Sequence, residues 1–144
     1  MGKRIYLLNG PNLNLLGQRQ PEIYGRETLD DIAETCNKVA VAQGMTLKAF
    51  QSNLEGQLID WVHEARQNAD AIIINPGAYS HTSIALLDAL NTFEGKVIEV
   101  HISNIHKREE FRHHSYISLR ADGIIVGVGT QGYMLAVQAL QNML

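Results

Sequence analysis

The chain holds a single cysteine, Cys36, so no internal disulfide can form. Among apolar neighbours in a stretch that reads as helical, Cys36 fits a small core residue and a reducing compartment. An excess of positive charge is missing too. Twelve Lys plus Arg stand against 15 Asp plus Glu, a formal charge of −3, which argues against a partner whose phosphate backbone must be neutralised. No apolar run reaches the length of a secretory h-region or a membrane span, because Ile5-Tyr6-Leu7-Leu8 is broken at once by Asn9. A myristoylation signal fails at Tyr6, where the pattern requires Ser or Thr. A Walker phosphate loop, internal repeats, low-complexity tracts and linkers are all absent. The expectation is one cytoplasmic domain over residues 1–144, with neither a nucleic-acid nor a membrane partner.

What the chain does contain is ordinary for a globular protein: 45% hydrophobic and 19% charged residues over 144 positions. Short apolar runs alternate with longer amphipathic stretches, the pattern of βα units on a parallel sheet. Strands are expected at 5–9, 46–51, 71–74, 97–100 and 124–126, with 71–74 placed centrally. Helices are expected at 28–43, 54–67 and 82–93, with a terminal one from about Tyr133. Thr28 and Asp31 stand in N-cap and N3 spacing, and Gly44 and Gly95 read as stops.

The polar residues gather where each strand ends: Asn9-Gly10-Pro11-Asn12, Gln51-Ser52-Asn53, Asn75-Pro76-Gly77, His101-Ile102-Ser103, and the glycines after Val126. Asn, Ser and Gly commonly open turns. In an open α/β sheet, however, these five endings converge on the crevice outside the carboxyl ends of the strands, where ligands bind. Gly127-Val128-Gly129-Thr130-Gln131-Gly132 matches a dinucleotide fingerprint, but only twelve residues follow it, too few for the further strand and the acidic partner that a nicotinamide cofactor needs. These glycines read instead as close helix-to-sheet packing or as backbone donors to a substrate. A phosphorylated receiver domain would need acids after strands one and three and a Lys after strand five, where Asn9, Asn75 and Gly127 stand. The six histidines show no spacing that would set two metal ligands on one face beside a third, so no metal is expected.

Two further features suggest chemistry. The loop from Gly17 to Gly25 is long, carries Arg19 and Tyr24, and has glycine at both ends where a hinge could work, so it reads as a lid over the crevice. In Glu99-Val100-His101-Ile102-Ser103-Asn104, alternation puts Glu99, His101 and Ser103 on one side, so that the carboxylate can orient the imidazole. A strand-end His with such a partner is an acid–base candidate.

At these residues the chain closely resembles the type II 3-dehydroquinate dehydratases, small enzymes of the shikimate pathway, over essentially its whole length. The resemblance is carried by Gly10-Pro11-Asn12-Leu13-Asn14-Leu15-Leu16-Gly17, by Gln51-Ser52-Asn53 with Glu55-Gly56, and by Asn75-Pro76-Gly77-Ala78-Tyr79-Ser80-His81-Thr82-Ser83. Glu99 to Asn104 and Arg108-Glu109-Glu110-Phe111-Arg112-His113-His114-Ser115 complete it. It implies a flavodoxin-like three-layer α/β fold with strand order 2-1-3-4-5, no cofactor, and a homododecamer built from trimers. It further implies dehydration of 3-dehydroquinate to 3-dehydroshikimate by anti elimination through an enolate, serving aromatic amino acid (chorismate) biosynthesis or quinate breakdown. By the same resemblance Tyr24 is the base, Arg19 its activator, His101 the proton donor paired with Glu99, and Asn12 places a water at the enolate. Asn75, His81, Arg112, the Ile102-Ser103 backbone and Asp88 of a neighbouring subunit would hold the substrate. Two positions depart from the family pattern: Gln20 stands where Glu is usual, and Leu87 where Arg commonly precedes the Asp.

The chemistry agrees with the residue types. Tyrosine ordinarily ionises near 10, so Tyr24 serves as a base near neutral pH only beside a cation such as Arg19. Arg112 and backbone amides suit a carboxylate. The alternatives from other classes are a flavin- or nucleotide-binding module of the same fold and a non-catalytic oligomeric scaffold.

Overall fold

The computed structural model describes residues 2–18 and 21–144, with Ile23 and Tyr24 described by their backbone alone. Five parallel strands, β1 (Arg4–Asn9), β2 (Thr46–Gln51), β3 (Ala71–Asn75), β4 (Lys96–His101) and β5 (Gly123–Val126), form one sheet in the order β2-β1-β3-β4-β5. This is the doubly wound, flavodoxin-like order with its switch point between β1 and β3. Between the strands run α1 (Pro21–Tyr24), α2 (Leu29–Ala42), α3 (Glu55–Asn68) and α4 (Ile84–Asn91), and α5 (Gln131–Met143) ends the chain.

Strand alternation decides which layer each residue enters. Ile5 and Leu7 of β1, Ile73 of β3, and Ile98 and Val100 of β4 face Ile32, Cys36 and Ala40 of α2 and Tyr133, Val137 and Leu140 of α5. Their sequence neighbours Tyr6, Leu8, Ile72, Ile74 and Val97 face Leu58, Val62 and Ala65 of α3 and Leu86 and Leu90 of α4. The expectation that Cys36 is a core residue holds, since it is fully buried. Each fully buried Leu or Ile stabilises the fold by roughly 1.5–3 kcal/mol, which fixes the register of both layers.

The elements begin where their caps dictate. Thr28 Oγ1 accepts from the Asp31 amide at 3.2 Å and the Thr28 amide donates to Asp31 Oδ2 at 3.0 Å, the expected capping box of α2. The stretch anticipated as a helix over 82–93 is shorter. Ser83 takes the N-cap, its Oγ accepting from the Leu86 amide, and residues Gly77–His81 before it form a 3-10 turn. The polar segment between β4 and β5 folds into three 3-10 turns, Ile105–Lys107, Glu110–Arg112 and Ile117–Leu119. Ile117 anchors the last of them in the α3/α4 layer, fully buried. Among the described residues, no helix is long and apolar enough to cross a membrane.

Candidate active site

The loops after β1, β2 and β3 are stitched into one floor at the carboxyl edge of the sheet. Gly10 N donates to the Asn75 carbonyl at 2.9 Å, Gln51 Nε2 to the Gly10 carbonyl at 3.1 Å, and the Asn12 amide to Asn53 Oδ1 at 2.9 Å. Tyr79 Oη donates to the Asn53 carbonyl at 2.7 Å. Gly10 is required by proximity, because a Cβ there would lie 2.5 Å from the Pro76 carbonyl oxygen. Asn12 adopts a left-handed backbone with φ 71°, which asparagine tolerates better than most residues, and its side chain stands exposed beside this floor.

On the α3/α4 side of β4, Glu99 and His101 form the expected pair. His101 Nε2 donates to Glu99 Oε2 at 2.5 Å, with the carboxylate fully buried and the imidazole 5% exposed. Sequence reasoning missed the two hydroxyls that complete this group. Ser115 Oγ donates to Glu99 Oε2 at 2.7 Å and Ser118 Oγ to Oε1 at 2.6 Å. The only trace of them in the sequence is their three-residue spacing around the apolar Ile117, which places both on one side of a tight turn. Burial pushes the Glu99 carboxyl up, but the hydrogen bonds from His101, Ser118 and Ser115 and the charge of His101 outweigh it and hold the group below the usual range. A carboxylate can only accept, so Nε2 of His101 carries hydrogen toward Glu99 and Nδ1 remains for a ligand.

Asn75 ends β3 on the opposite side of the sheet, 4% exposed. Its Oδ1 accepts from the Gly77 amide at 3.1 Å and its Nδ2 donates to Tyr133 Oη at 2.8 Å. Half-buried His81 closes the turn after β3 and donates from Nδ1 to the His114 carbonyl at 2.8 Å. The turn carrying Arg112 packs against the one carrying His81. Arg112 is engaged through Nε with Glu109 Oε2 at 2.6 Å and lies over the Phe111 ring, which leaves the terminal guanidinium nitrogens for a carboxylate.

The remaining candidates lie at the ends of β4 and β5 and on α4. β4 ends at His101 and the backbone bends at Ile102 and Ser103; Ser103 is exposed, with Arg108 Nη1 3.5 Å from its hydroxyl. The amides of Ile102 and Ser103, by contrast, enter no turn, cap or side-chain hydrogen bond among the described residues. The glycines after β5 are not free donors: Gly127 N donates to the His101 carbonyl at 3.1 Å, Gly129 N to Ile102 at 3.0 Å and Gly132 N to Gly129 at 3.2 Å. Close packing is what Gly132 provides, since a Cβ there would meet Ile125, Val100 and Val128 at 3.3–3.5 Å. Asp88 is exposed on α4, with no side-chain hydrogen bond among the described residues.

Arg19 and Gln20 lie outside the described residues, as does the side chain of Tyr24, whose backbone ends α1. The neck of their loop is described. Gly17 and Gly25 have φ values of 82° and 85°, and a Cβ on Gly17 would lie 2.8 Å from the Arg26 and Glu27 carbonyl oxygens, so the loop's two ends meet. No group of three His, Cys, Asp or Glu side chains is arranged to hold a metal among the described residues.

Comparison with known proteins agrees with this geometry. The chain is 64% identical over 140 residues to a 3-dehydroquinate dehydratase of Cereibacter sphaeroides, covering 97% of this chain and 95% of that protein. It is 67% identical over 135 residues to one of Streptomyces avermitilis, covering 93% and 85%. The solved type II dehydroquinase of Propionibacterium acnes superposes with a TM-score of 0.92 at 44% identity, covering 99% of this chain and 98% of that one. With the class II dehydroquinase family model matching residues 3–141, across every strand of the sheet, the chain belongs to the class II dehydroquinase family.

Proposed function

We propose that this chain is a hydro-lyase that converts 3-dehydroquinate to 3-dehydroshikimate and water. The observation that carries the reading is the buried Glu99–His101 pair at the end of β4. An imidazolium there has one proton committed to Glu99 through Nε2 and one on Nδ1 for a leaving hydroxyl. The other half of the reaction is removal of a proton beside the ketone, which the reading assigns to the phenolate of Tyr24 with Arg19 as its cation. Electrons of the broken C–H bond pass to the ketone oxygen as an enolate, near which Asn12 holds a water. Return of those electrons forms the carbon–carbon double bond and expels the hydroxyl as water on the His101 proton. Removing the proton and the hydroxyl from opposite faces makes the elimination anti.

The substrate carboxylate falls to Arg112 and the Ile102 and Ser103 amides, and the ring hydroxyls to Asn75 and His81. The exposed place of Asp88 on α4 suits a residue offered to a neighbouring copy, which supports assembly as trimers and a dodecamer. The chain acts as one catalytic domain, without cofactor or metal, in the cytoplasm, in aromatic amino acid biosynthesis or in quinate catabolism.

The test is an ultraviolet assay for the conjugated product, with purified protein, 3-dehydroquinate, a chelator and no added metal. Growth of the conjugated absorbance at a rate proportional to protein is expected. Its absence with folded protein would overturn the reading.

A further inference from the structure

The phenol of Tyr133 takes no part in the chemistry above. It is fully buried in α5, yet its hydroxyl lies between two strand-end carboxamides. Asn75 Nδ2 donates to it at 2.8 Å, and it donates to Asn9 Oδ1 at 2.8 Å. Strand parity explains the meeting: Asn9 follows Ile5 and Leu7, and Asn75 follows Ile73, all on the α2/α5 side of the sheet.

The direction of this relay is set by its ends. A backbone N–H can only donate, and Gly77 N donates to Asn75 Oδ1 at 3.1 Å, so the nitrogen of that amide must turn toward the phenol. A carbonyl can only accept, and the Phe50 carbonyl lies 3.4 Å from Asn9 Nδ2, so Asn9 turns its oxygen toward the phenol. Burial holds the phenol protonated well beyond its ordinary range, which keeps it a donor to Asn9 and an acceptor from Asn75. Two hydrogens of the relay are then left over, the second N–H of Asn9 and the second N–H of Asn75. Of the three residues, only Asn75 retains any exposure, at 4% against 0% for Asn9 and Tyr133.

We propose that Tyr133 is a positioning residue: by taking one N–H of Asn75, it fixes the plane of that amide so that the other N–H is preset toward the substrate at the β1–β3 switch point. A donor held in advance costs no reordering when the ligand arrives. Without the phenol, the amide of Asn75 keeps only its bond to Gly77 and can turn about it. The inference rests on the dehydratase reading.

A double-mutant cycle tests it, using Tyr133→Phe, Asn75→Ala and the pair, with kcat and KM for 3-dehydroquinate and a urea unfolding curve for each. The expected result for Tyr133→Phe is a KM raised about tenfold with kcat nearly unchanged, the mark of lost uniform binding. In the Asn75→Ala background the same change should alter KM less than about twofold, since groups that act through one another do not add. A merely structural tie between α5 and the sheet would lower the unfolding midpoint and leave KM as it was, which overturns the inference. So does an equal rise in KM with and without Asn75. Asn9→Ala, which removes the acceptor of the phenol without touching Asn75, should raise KM in the same direction, and an unchanged KM in that folded variant also refutes the relay. Wild-type chain that fails to turn over 3-dehydroquinate overturns the functional reading and this inference with it, whereas active wild type with an unaffected Tyr133→Phe overturns the inference alone.

Discussion

Replacing Ser118 by Ala removes the sole hydrogen-bond partner described for Glu99 Oε1, a contact of 2.6 Å to a carboxylate with no solvent exposure. The other oxygen keeps His101 and Ser115. A hydrogen bond to a charged group contributes about 1.5–3 kcal/mol, and a buried acceptor left without a partner loses its full share. The same loss raises the folded-state pKa of Glu99, since one of the hydrogen bonds that favour its charged form is gone. The sign follows from the direction of the native shift. The Glu99 carboxyl is held low in the folded protein, so its contribution is present above the unfolded value of about 4.3 and is lost as pH falls through the folded value. Ser118→Ala should therefore cost about 1.5–3 kcal/mol at pH 7 and progressively less in acid, where the carboxyl of wild type also becomes protonated. Urea unfolding of both proteins at one protein concentration, at pH 7 and at successively lower pH, measures the difference. A loss under about 0.5 kcal/mol at pH 7, the ordinary scatter of surface substitutions, would refute the reasoning. So would a loss independent of pH, which would mean that the serine acts by packing and not by holding a charge.

Tyr24→Phe and Arg19→Ala should each abolish most turnover without moving the unfolding midpoint, because the two core layers are built from the strands and from α2 to α5; near-normal kcat at neutral pH in either variant removes Tyr24 as the base. His101→Ala should lower kcat by at least about 100-fold while exchange of the substrate's α-proton survives better, and equal loss of both would make His101 a binding residue instead. Borohydride added with substrate should leave activity intact. The five lysines, Lys3, Lys38, Lys48, Lys96 and Lys107, are all exposed, whereas imine chemistry calls for an amine desolvated in an apolar pocket. A substrate adduct on any of them in the mass spectrum, with matching loss of activity, would replace the enolate route.

Local periodicity was enough for the succession of strands and helices along the chain, which rests on rules of short range, whereas the strand order 2-1-3-4-5 was implied by the family resemblance. The apolar runs and their intervening amphipathic stretches set five βα units, Thr28 and Asp31 set the start of α2, and period-two alternation put Glu99 and His101 on one side of β4. These depend on neighbours two to four residues apart, and a sequence displays such spacings directly. Ser103 lies beyond the end of β4, where the backbone bends and period two no longer fixes a side. The fingerprint glycines could be read two ways for a related reason: whether their amides are free depends on the carbonyls of His101 and Ile102, which belong to another strand. What only the tertiary structure decided is the company each functional group keeps. Ser115 and Ser118 reach Glu99 from 16 and 19 residues away because the burial of Ile117 folds that turn against the sheet. Tyr133 joins Asn75 across 58 positions and Asn9 across 124, since packing of α5 on one face of the sheet brings strand ends and helix together. No local spacing encodes such partners, because they are selected by which layer each helix occupies, and that choice is made by the whole core at once.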